Sequence, residues 1–455
     1  MDGGRNIIAK IPHPNAGPEV YTTASEVATM DFARSVLDLP VPKVLAWSAT
    51  ATNPVESEYI LMEEAKGSQL HDVWKNLQLR DKRDIIQEII NVEKKMLSIS
   101  FDRIGSLYFK DSGIPGCETI STTDVAPDIG DTLNSRFSIG PIVQREFWGK
   151  GRANMHAHHG PWTSAEKYLK SVAQREIDYI KAYSHNKQAI HNPWLFASKE
   201  QNNPEAHISC LHKFLSAVPE IIPKDSEPLS PRFWYLDFHT GNLYVDDKGK
   251  ISSIIDWQAS SILPLFIGPK PPSLLDYNIE MMMKLPDHYE VLDEASKEKL
   301  RYQVSQSILI HSYETRTVAQ NPLMYKMMRH LHGKTLKHLE AFAGGTWDNC
   351  LFPFRECLIR VEREWSDFSD KPCPYHFSDD EVREHREEAA VFNETQDFWK
   401  SLSALVTDEG YTSVEDFESV VDIFKQLREA GLSELRGEER NEFERETRWL
   451  LDIRN

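Results

Sequence analysis

Residues 235–257 hold the pattern that most restricts how this chain can fold. Tyr235-Leu236-Asp237-Phe238-His239-Thr240-Gly241-Asn242 leads into Leu243-Tyr244-Val245, then the polar stretch Asp246-Asp247-Lys248-Gly249-Lys250, then the apolar run from Ile251 to Ile255. Asp and Gly in a short turn between two apolar runs specify a β-hairpin. Asn242 and Asp256 lie seven residues on either side of Gly249. Antiparallel pairing therefore brings both to the open end of the hairpin, and Asp237 precedes Asn242 on the same loop. Two carboxylates and an amide at one sheet edge form a candidate Mg²⁺ site of oxygen ligands. Phosphoryl transfer from ATP needs such a set: metal ions, positioned oxygens and a group acting on the acceptor hydroxyl. An Asp and an Asn five apart arise by chance about once in a chain of this composition. The hairpin context gives the pair its meaning.

Upstream, residues 6–11, 43–47 and 58–63 read as strands rich in β-branched and aromatic residues. A helix is expected over about 22–37, ended by the Pro40 and Pro42 breaker. A helical region is expected from about Leu70, with Ile85, Ile89, Val92 and Met96 forming a core stripe. The middle of the chain, about 110–230, is rich in Pro, Gly and aromatic residues, with short helical pieces such as 165–183. From about Pro272 onward the pattern is mostly helical. Gly344-Gly345 and the 371–374 segment mark boundaries. Capping boxes at Ser378 with Glu381 and Ser413 with Asp416 open the last helices, where Phe417, Val420, Val421 and Phe424 form a stripe.

The formal net charge of -18 argues against a sequence-independent nucleic-acid binder, which needs a basic footprint. That acidity is local: residues 366–455 hold 24 acidic and 11 basic residues, so most of it belongs to the last 90. No apolar stretch is long enough to span a bilayer. Five cysteines without a C-x-x-C pair fit reduced thiols better than a disulfide framework or a zinc ribbon.

The Asp237–Asn242 loop and Ile255-Asp256-Trp257 resemble the Asp-x-His-x-Gly-Asn and Ile-Asp-Trp motifs of aminoglycoside phosphotransferase-like proteins, a branch of the protein-kinase-like fold. The resemblance implies an α+β, two-lobed fold that uses ATP and Mg²⁺. It gives Asp237 the catalytic role on the acceptor hydroxyl and makes Asn242 and Asp256 the metal ligands. Lys10 in Ile8-Ala9-Lys10 then holds the α- and β-phosphates, and Glu26 pairs with it. The backbone around Met62, Glu63, Glu64 and Ala65 becomes the hinge that reads adenine. Residues 54–67, 105–108, 140–141, 160–162 and 255–266, with the acidic helical C-terminus, look like the fungal "altered inheritance of mitochondria" subgroup. That likeness implies a mitochondrial location and leaves the substrate unnamed.

Three departures stand out. The glycine-rich loop that kinase-like folds place two strands ahead of the lysine is missing, with Asp2-Gly3-Gly4 leading straight into the lysine strand. This is the expectation for an N-terminally short small lobe. Tyr235 stands where the family usually has His, and an aromatic ring there is expected to pack under the loop. Neither an Arg before Asp237 nor an Ala-Pro-Glu after Asp256 is present, which favours a small-molecule acceptor over a protein substrate. The expected organisation is a partial small lobe (1–66), a helical large lobe (67–365) and an acidic extension (366–455). A catalytically impaired scaffold with a role in mitochondria is the alternative to the phosphotransferase, and a protein kinase rests on fold analogy alone.

Other candidates read more simply. His156, His158 and His159 lack carboxylate or thiol partners at ligand spacing and read as a loop cluster. Arg145, Trp148 and Arg152 form a basic-aromatic patch that either binds an anion or packs. His239 reads as a structural hydrogen-bonder, and Met281-Met282-Met283 as adaptable core.

Overall fold

The computed structural model describes residues 6–13, 16–122, 125–149, 151–184, 198, 200–402, 405, 406, 412 and 416–452. Asp2-Gly3-Gly4 and Ser413 lie outside them. The first elements are β1 (Ile7–Lys10), α1 (Tyr21–Ser35), β2 (Val44–Ser48), β3 (Tyr59–Glu63), β4 (Ser68–Gln69), α2 (Leu70–Trp74) and α3 (Leu79–Met96). There follow β5 (Ser106–Phe109), β6 (Glu118–Thr119), α4 (Pro127–Arg136), β7 (Phe137–Gly140), α5 (Ala165–Tyr183), α6 (Pro204–Ile221), α7 (Ser226–Leu229), β8 (Pro231–Trp234), β9 (Leu243–Val245), β10 (Ile251–Ile254) and β11 (Ser261–Pro264). The rest is helical: α8 (Glu294–Gln320), α9 (Pro322–Met328), α10 (Gly333–Ala343), α11 (Leu351–Arg363), α12 (Asp379–Leu402), α13 (Phe417–Glu434), α14 (Gly437–Glu446) and α15 (Trp449–Asp452). Helices mixed with small antiparallel sheets make this an α+β protein.

Two compact units divide the chain: residues 1–175 with 218–340, and residues 176–217 with 341–455. That division follows neither of the boundaries expected at 66/67 and 365/366.

In the first unit, the β1-β3-β2 sheet places Lys10 opposite Ile60 and Ile7 opposite Glu63. Eleven of the fifteen residues of α1 are buried, so the helix is enclosed on nearly every side. Phe32 anchors it edge-on to Phe101, Phe137 and Phe233, with ring centroids 5.3 to 6.1 Å apart. The start of α1 is tied down by a distant carboxylate. Glu58 accepts the Val20 N–H at 2.7 Å and the Thr23 hydroxyl at 2.5 Å, doing for this helix what an N-cap side chain normally does.

Ile85, Ile86, Ile89 and Ile90 of α3 are fully buried, as their spacing predicts. Ile86 and Ile90 pack with Leu309, Ile310 and Tyr313 of α8. Glu93, one turn along α3, is buried with them, and its carboxyl receives the Tyr313 hydroxyl at 2.9 and 3.1 Å.

The chain after Pro272 departs from expectation. Residues 272–293 hold only the single 3₁₀ turn Tyr289–Val291, and α8 begins at Glu294 behind an Asp293 cap that accepts the Ser296 N–H at 2.9 Å. Pro271, Pro272 and Pro286 cannot donate a backbone hydrogen bond, which breaks the helical ladder over this stretch. Met281 and Met283 are half exposed rather than core.

In the second unit, the Ser378 capping box forms. The Ser378 N–H donates to the Glu381 carboxylate at 2.7 Å, and the Glu381 N–H donates to the Ser378 hydroxyl at 3.2 Å. Val420 and Val421 of the α13 stripe are buried, while Phe417 is exposed. Among the described residues no helix is long and apolar enough to cross a membrane.

Candidate functional site

The hairpin forms, with one difference of register. Leu243 pairs with Ile254 and Val245 with Ile251, so the strands slip by one residue across a bulge at Ser252. The turn is centred on Lys248, which alone would set Asn242 opposite Ile254; the bulge recovers one residue, so Asn242 faces Ile255, whose N–H donates to the Asn242 carbonyl at 3.0 Å, and not Asp256 as equal spacing about Gly249 predicts. Asp256 stands one step beyond, still at the open end. It adopts a left-handed backbone, φ 56°, which is uncommon for a residue with a side chain and ends the strand abruptly.

Lys10 reaches this end from β1. Its ammonium donates to Glu26 Oε1 at 2.7 Å and to Asp256 Oδ1 at 2.6 Å. Three segments, β1, α1 and the residue after β10, therefore converge on one nitrogen. Burial works against the Lys10 charge, but Glu26 and Asp256 outweigh it and hold the pKa above the usual lysine value. Burial pushes the Glu26 carboxyl up, opposed by the Lys10 ammonium.

On the loop from Asp237 to Asn242, the Asn242 amide donates to Asp237 Oδ2 at 2.9 Å. This leaves the amide oxygen as the atom available to a cation. His239 Nδ1 accepts the Gly241 N–H at 3.0 Å, so in a neutral ring the proton sits on Nε2. Nε2 lies 3.5 Å from Asp237 Oδ2 and 3.2 Å from the Asn242 amide nitrogen. With both nitrogens acting as donors, the second approach is not a hydrogen bond, and His239 serves to fold the loop. Beneath it, the Tyr235 hydroxyl donates to the Ile255 carbonyl at 2.8 Å, and its ring stacks on Trp257 at 4.8 Å. The aromatic residue packs under the loop and ties the segment leading from β8 to Asp237 to the one leading from β10 to Asp256.

Asp237 and Asp256 keep about half of their side chains exposed (57% and 42%), so solutes reach both carboxylates. The oxygen donors of Asn242 and Asp256 fit Mg²⁺, which uses one or two protein oxygens and keeps its other positions for water and phosphate. Of the expected hinge residues, Met62 and Glu63 lie inside β3, paired with Ile8 and Ile7. Glu64 and Ala65 follow the strand, and Glu64 accepts the Asn6 amide at 2.8 Å.

Two of the three residues of the basic-aromatic patch, Trp148 and Arg152, turn inward. The Trp148 indole donates to the Ile142 carbonyl at 2.7 Å and stacks on His159 at 3.9 Å and on Tyr21 at 5.2 Å, against the start of α1. Arg152 is buried. Burial lowers the His159 pKa. Trp148 packs against the start of α1, while Arg145 stays exposed. Sequence reasoning missed Glu58 and Gln69. A lone Glu between two strands and a Gln after a glycine carry no motif, and only their long-range partners give them roles.

The family model described as "Phosphotransferase enzyme family" matches residues 1–266. A subtelomeric hrmA-associated cluster protein of Aspergillus fumigatus is 31% identical over 466 residues, covering 93% of this chain and 88% of that protein. "Altered inheritance of mitochondria protein 9, mitochondrial" of Zygosaccharomyces rouxii is 29% identical over 328 residues, covering 66% of this chain and 51% of that protein. Among solved structures, a thermostable mutant of aminoglycoside phosphotransferase APH(4)-Ia in its apo form covers 79% of this chain and 89% of that one, at 12% identity and a TM-score of 0.36.

Proposed function

This chain belongs to the phosphotransferase enzyme family, with an α+β, protein-kinase-like fold, and from that premise we propose that it transfers a phosphoryl group from Mg²⁺-ATP to a hydroxyl of a small molecule. The observation that carries the reading is the convergence of Lys10, Glu26 and Asp256 on one side and of Asp237 and Asn242 on the other.

Each residue then has a task. Asp237, partly exposed and held by the Asn242 amide, orients the acceptor hydroxyl and takes its proton. Asn242 and Asp256 hold Mg²⁺, which when bound neutralises charge on the phosphate oxygens. Lys10 exchanges one carboxylate partner for phosphate oxygens, while Glu26 keeps it aimed. Glu64 and Ala65, beyond the strand, are the hinge positions for the adenine, with Met62 and Glu63 shaping the approach. A mitochondrial location is the natural companion of this reading, since the Zygosaccharomyces rouxii relative carries that word in its name.

Calorimetric titration of the full chain with Mg²⁺-ATP tests it. Wild type binds, Asp256→Ala binds at least about tenfold more weakly, and Asp237→Asn binds like wild type but transfers no phosphate to a panel of hydroxylated metabolites. Equal binding by wild type and Asp256→Ala defeats the proposal and leaves the non-catalytic scaffold.

A further inference from the structure

The segment that leaves β3 does more than connect. Lys66 and Gly67 lie against the β9–β10 hairpin, and Ser68-Gln69 joins it as a third strand, with Ser68 opposite Val245 and Gln69 opposite Tyr244. The Lys66 N–H donates to the Ser253 hydroxyl at 2.9 Å, and the Ser252 hydroxyl donates to the Lys66 carbonyl. Ser252 is the bulged residue, so the extra residue that draws Asp256 to within one step of Asn242 also places a hydroxyl on this segment. Gly67 permits the approach. Its φ is 93°, and a Cβ there would stand 2.3 Å from the Val245 carbonyl oxygen.

Gln69 then reaches the catalytic loop. Its amide donates to the Gly241 carbonyl at 2.5 Å, across 172 residues of sequence. That carbonyl belongs to the peptide whose N–H is Asn242's own, and the same N–H donates to the His239 carbonyl at 3.0 Å. One peptide plane is held at both ends, and the Asn242 side chain, with its bond to Asp237, hangs from it.

We infer that Gln69 is a positioning residue of the catalytic loop, fixing the Gly241–Asn242 peptide so that Asn242 presents its oxygen to the cation and its amide to Asp237. The inference rests on the phosphotransferase reading for its kinetic consequence and on geometry alone for its structural one. It couples the residues that follow the adenine-reading positions to the metal-binding amide through a single hydrogen bond. Nucleotide seated beside Glu64 and Ala65 thereby acts on the same short strand that holds Asn242.

Two variants of the full chain test it. Gln69→Ala removes the donor, and Gln69→Glu keeps the shape while setting a carboxylate against a carbonyl. Hydrogen exchange over residues 237–245, read by mass spectrometry, speeds up about tenfold or more in both, with residues 44–63 unchanged. Mg²⁺-ATP hydrolysis in water falls about 10- to 100-fold in kcat, the range seen when a residue supporting a metal ligand is lost. The nucleotide KM stays within about threefold, the Mg²⁺ concentration for half activity rises, and Gln69→Glu is at least as impaired as Gln69→Ala. Unchanged exchange at 237–245 overturns the inference. So does faster exchange across both segments with a lowered melting temperature, which makes Gln69 ordinary packing. Should wild type hydrolyse no ATP and bind none, the functional proposal fails, and the exchange comparison alone decides the role of Gln69.

Discussion

Two buried carboxyl groups in the same unit have different partners. Glu26 in α1 and Glu93 in α3 are 4% and 0% exposed, and burial pushes both carboxyl pKa values up. Glu26 faces an ammonium at 2.7 Å, which opposes that push. Glu93 faces the neutral Tyr313 hydroxyl, and its pKa rises to about 8. At neutral pH Glu93 holds a proton and serves as a packed hydrogen-bonding group between α3 and α8. Burial by itself does not mark a functional carboxylate. What sets Glu26 apart is a cationic partner shared with a second, half-exposed carboxylate, the arrangement on which the proposed exchange of Lys10 onto phosphate oxygens rests.

The largest test of this contrast is Lys10→Met. It should abolish Mg²⁺-ATP turnover by about a thousandfold and strand Glu26 without its cation, lowering stability at pH 8 by about 3–5 kcal/mol in denaturant titrations. Adding Glu26→Gln should restore most of the stability and none of the activity. If turnover returns with it, Lys10 is structural.

Next is Glu93→Gln. A carboxyl whose folded pKa lies near 8 against an unfolded value near 4.5 binds more protons when folded, so its contribution to stability is complete below about pH 4.5 and is lost as pH climbs to 8. The amide cannot ionise. Relative to wild type, the variant should melt several degrees higher at pH 8.5 and about the same or lower at pH 5, with unchanged turnover. Glu340, raised to about 7 by burial, contributes a slope of the same sign and remains in both proteins.

Tyr235→Phe removes the hydroxyl bonded to the Ile255 carbonyl and keeps the stack on Trp257. It should lower stability by about 1 kcal/mol and turnover less than tenfold. The smallest effect belongs to Ser378→Ala, which deletes one half of a capping box in the second unit. About 0.5–1 kcal/mol is lost in chemical denaturation, and turnover stays the same.

Local chemistry was legible in the sequence and long-range chemistry was not. The hairpin, the α3 stripe and the Ser378 box each follow from residues within one or two turns of each other. The one-residue slip at Ser252 did not, because a bulge is set by what the strand bonds to, here the Lys66 backbone. Lys10 announced a need for a counter-charge, with Glu26 the natural candidate. That Asp256 also accepts from Lys10 could not be read, since nothing in either segment encodes their meeting. The helical region expected from about Pro272 begins only at Glu294, because Pro271, Pro272 and Pro286 deny a helix its donors over the stretch before it.

The distances along the chain set an order of assembly. Asn242 and Asp256 sit on a hairpin whose two strands are joined by a short turn, a structure that closes within microseconds. Gln69 must find Gly241 across 172 residues, and Lys10 must find Asp256 across 246. Loop-closure entropy makes such contacts late events. The pair assigned to the metal is therefore in place while the chain is still largely open, and the lysine assigned to the phosphates arrives last. On the proposed assignment, any destabilisation of β1 would show first as loss of nucleotide affinity, with the β9–β10 hairpin still intact.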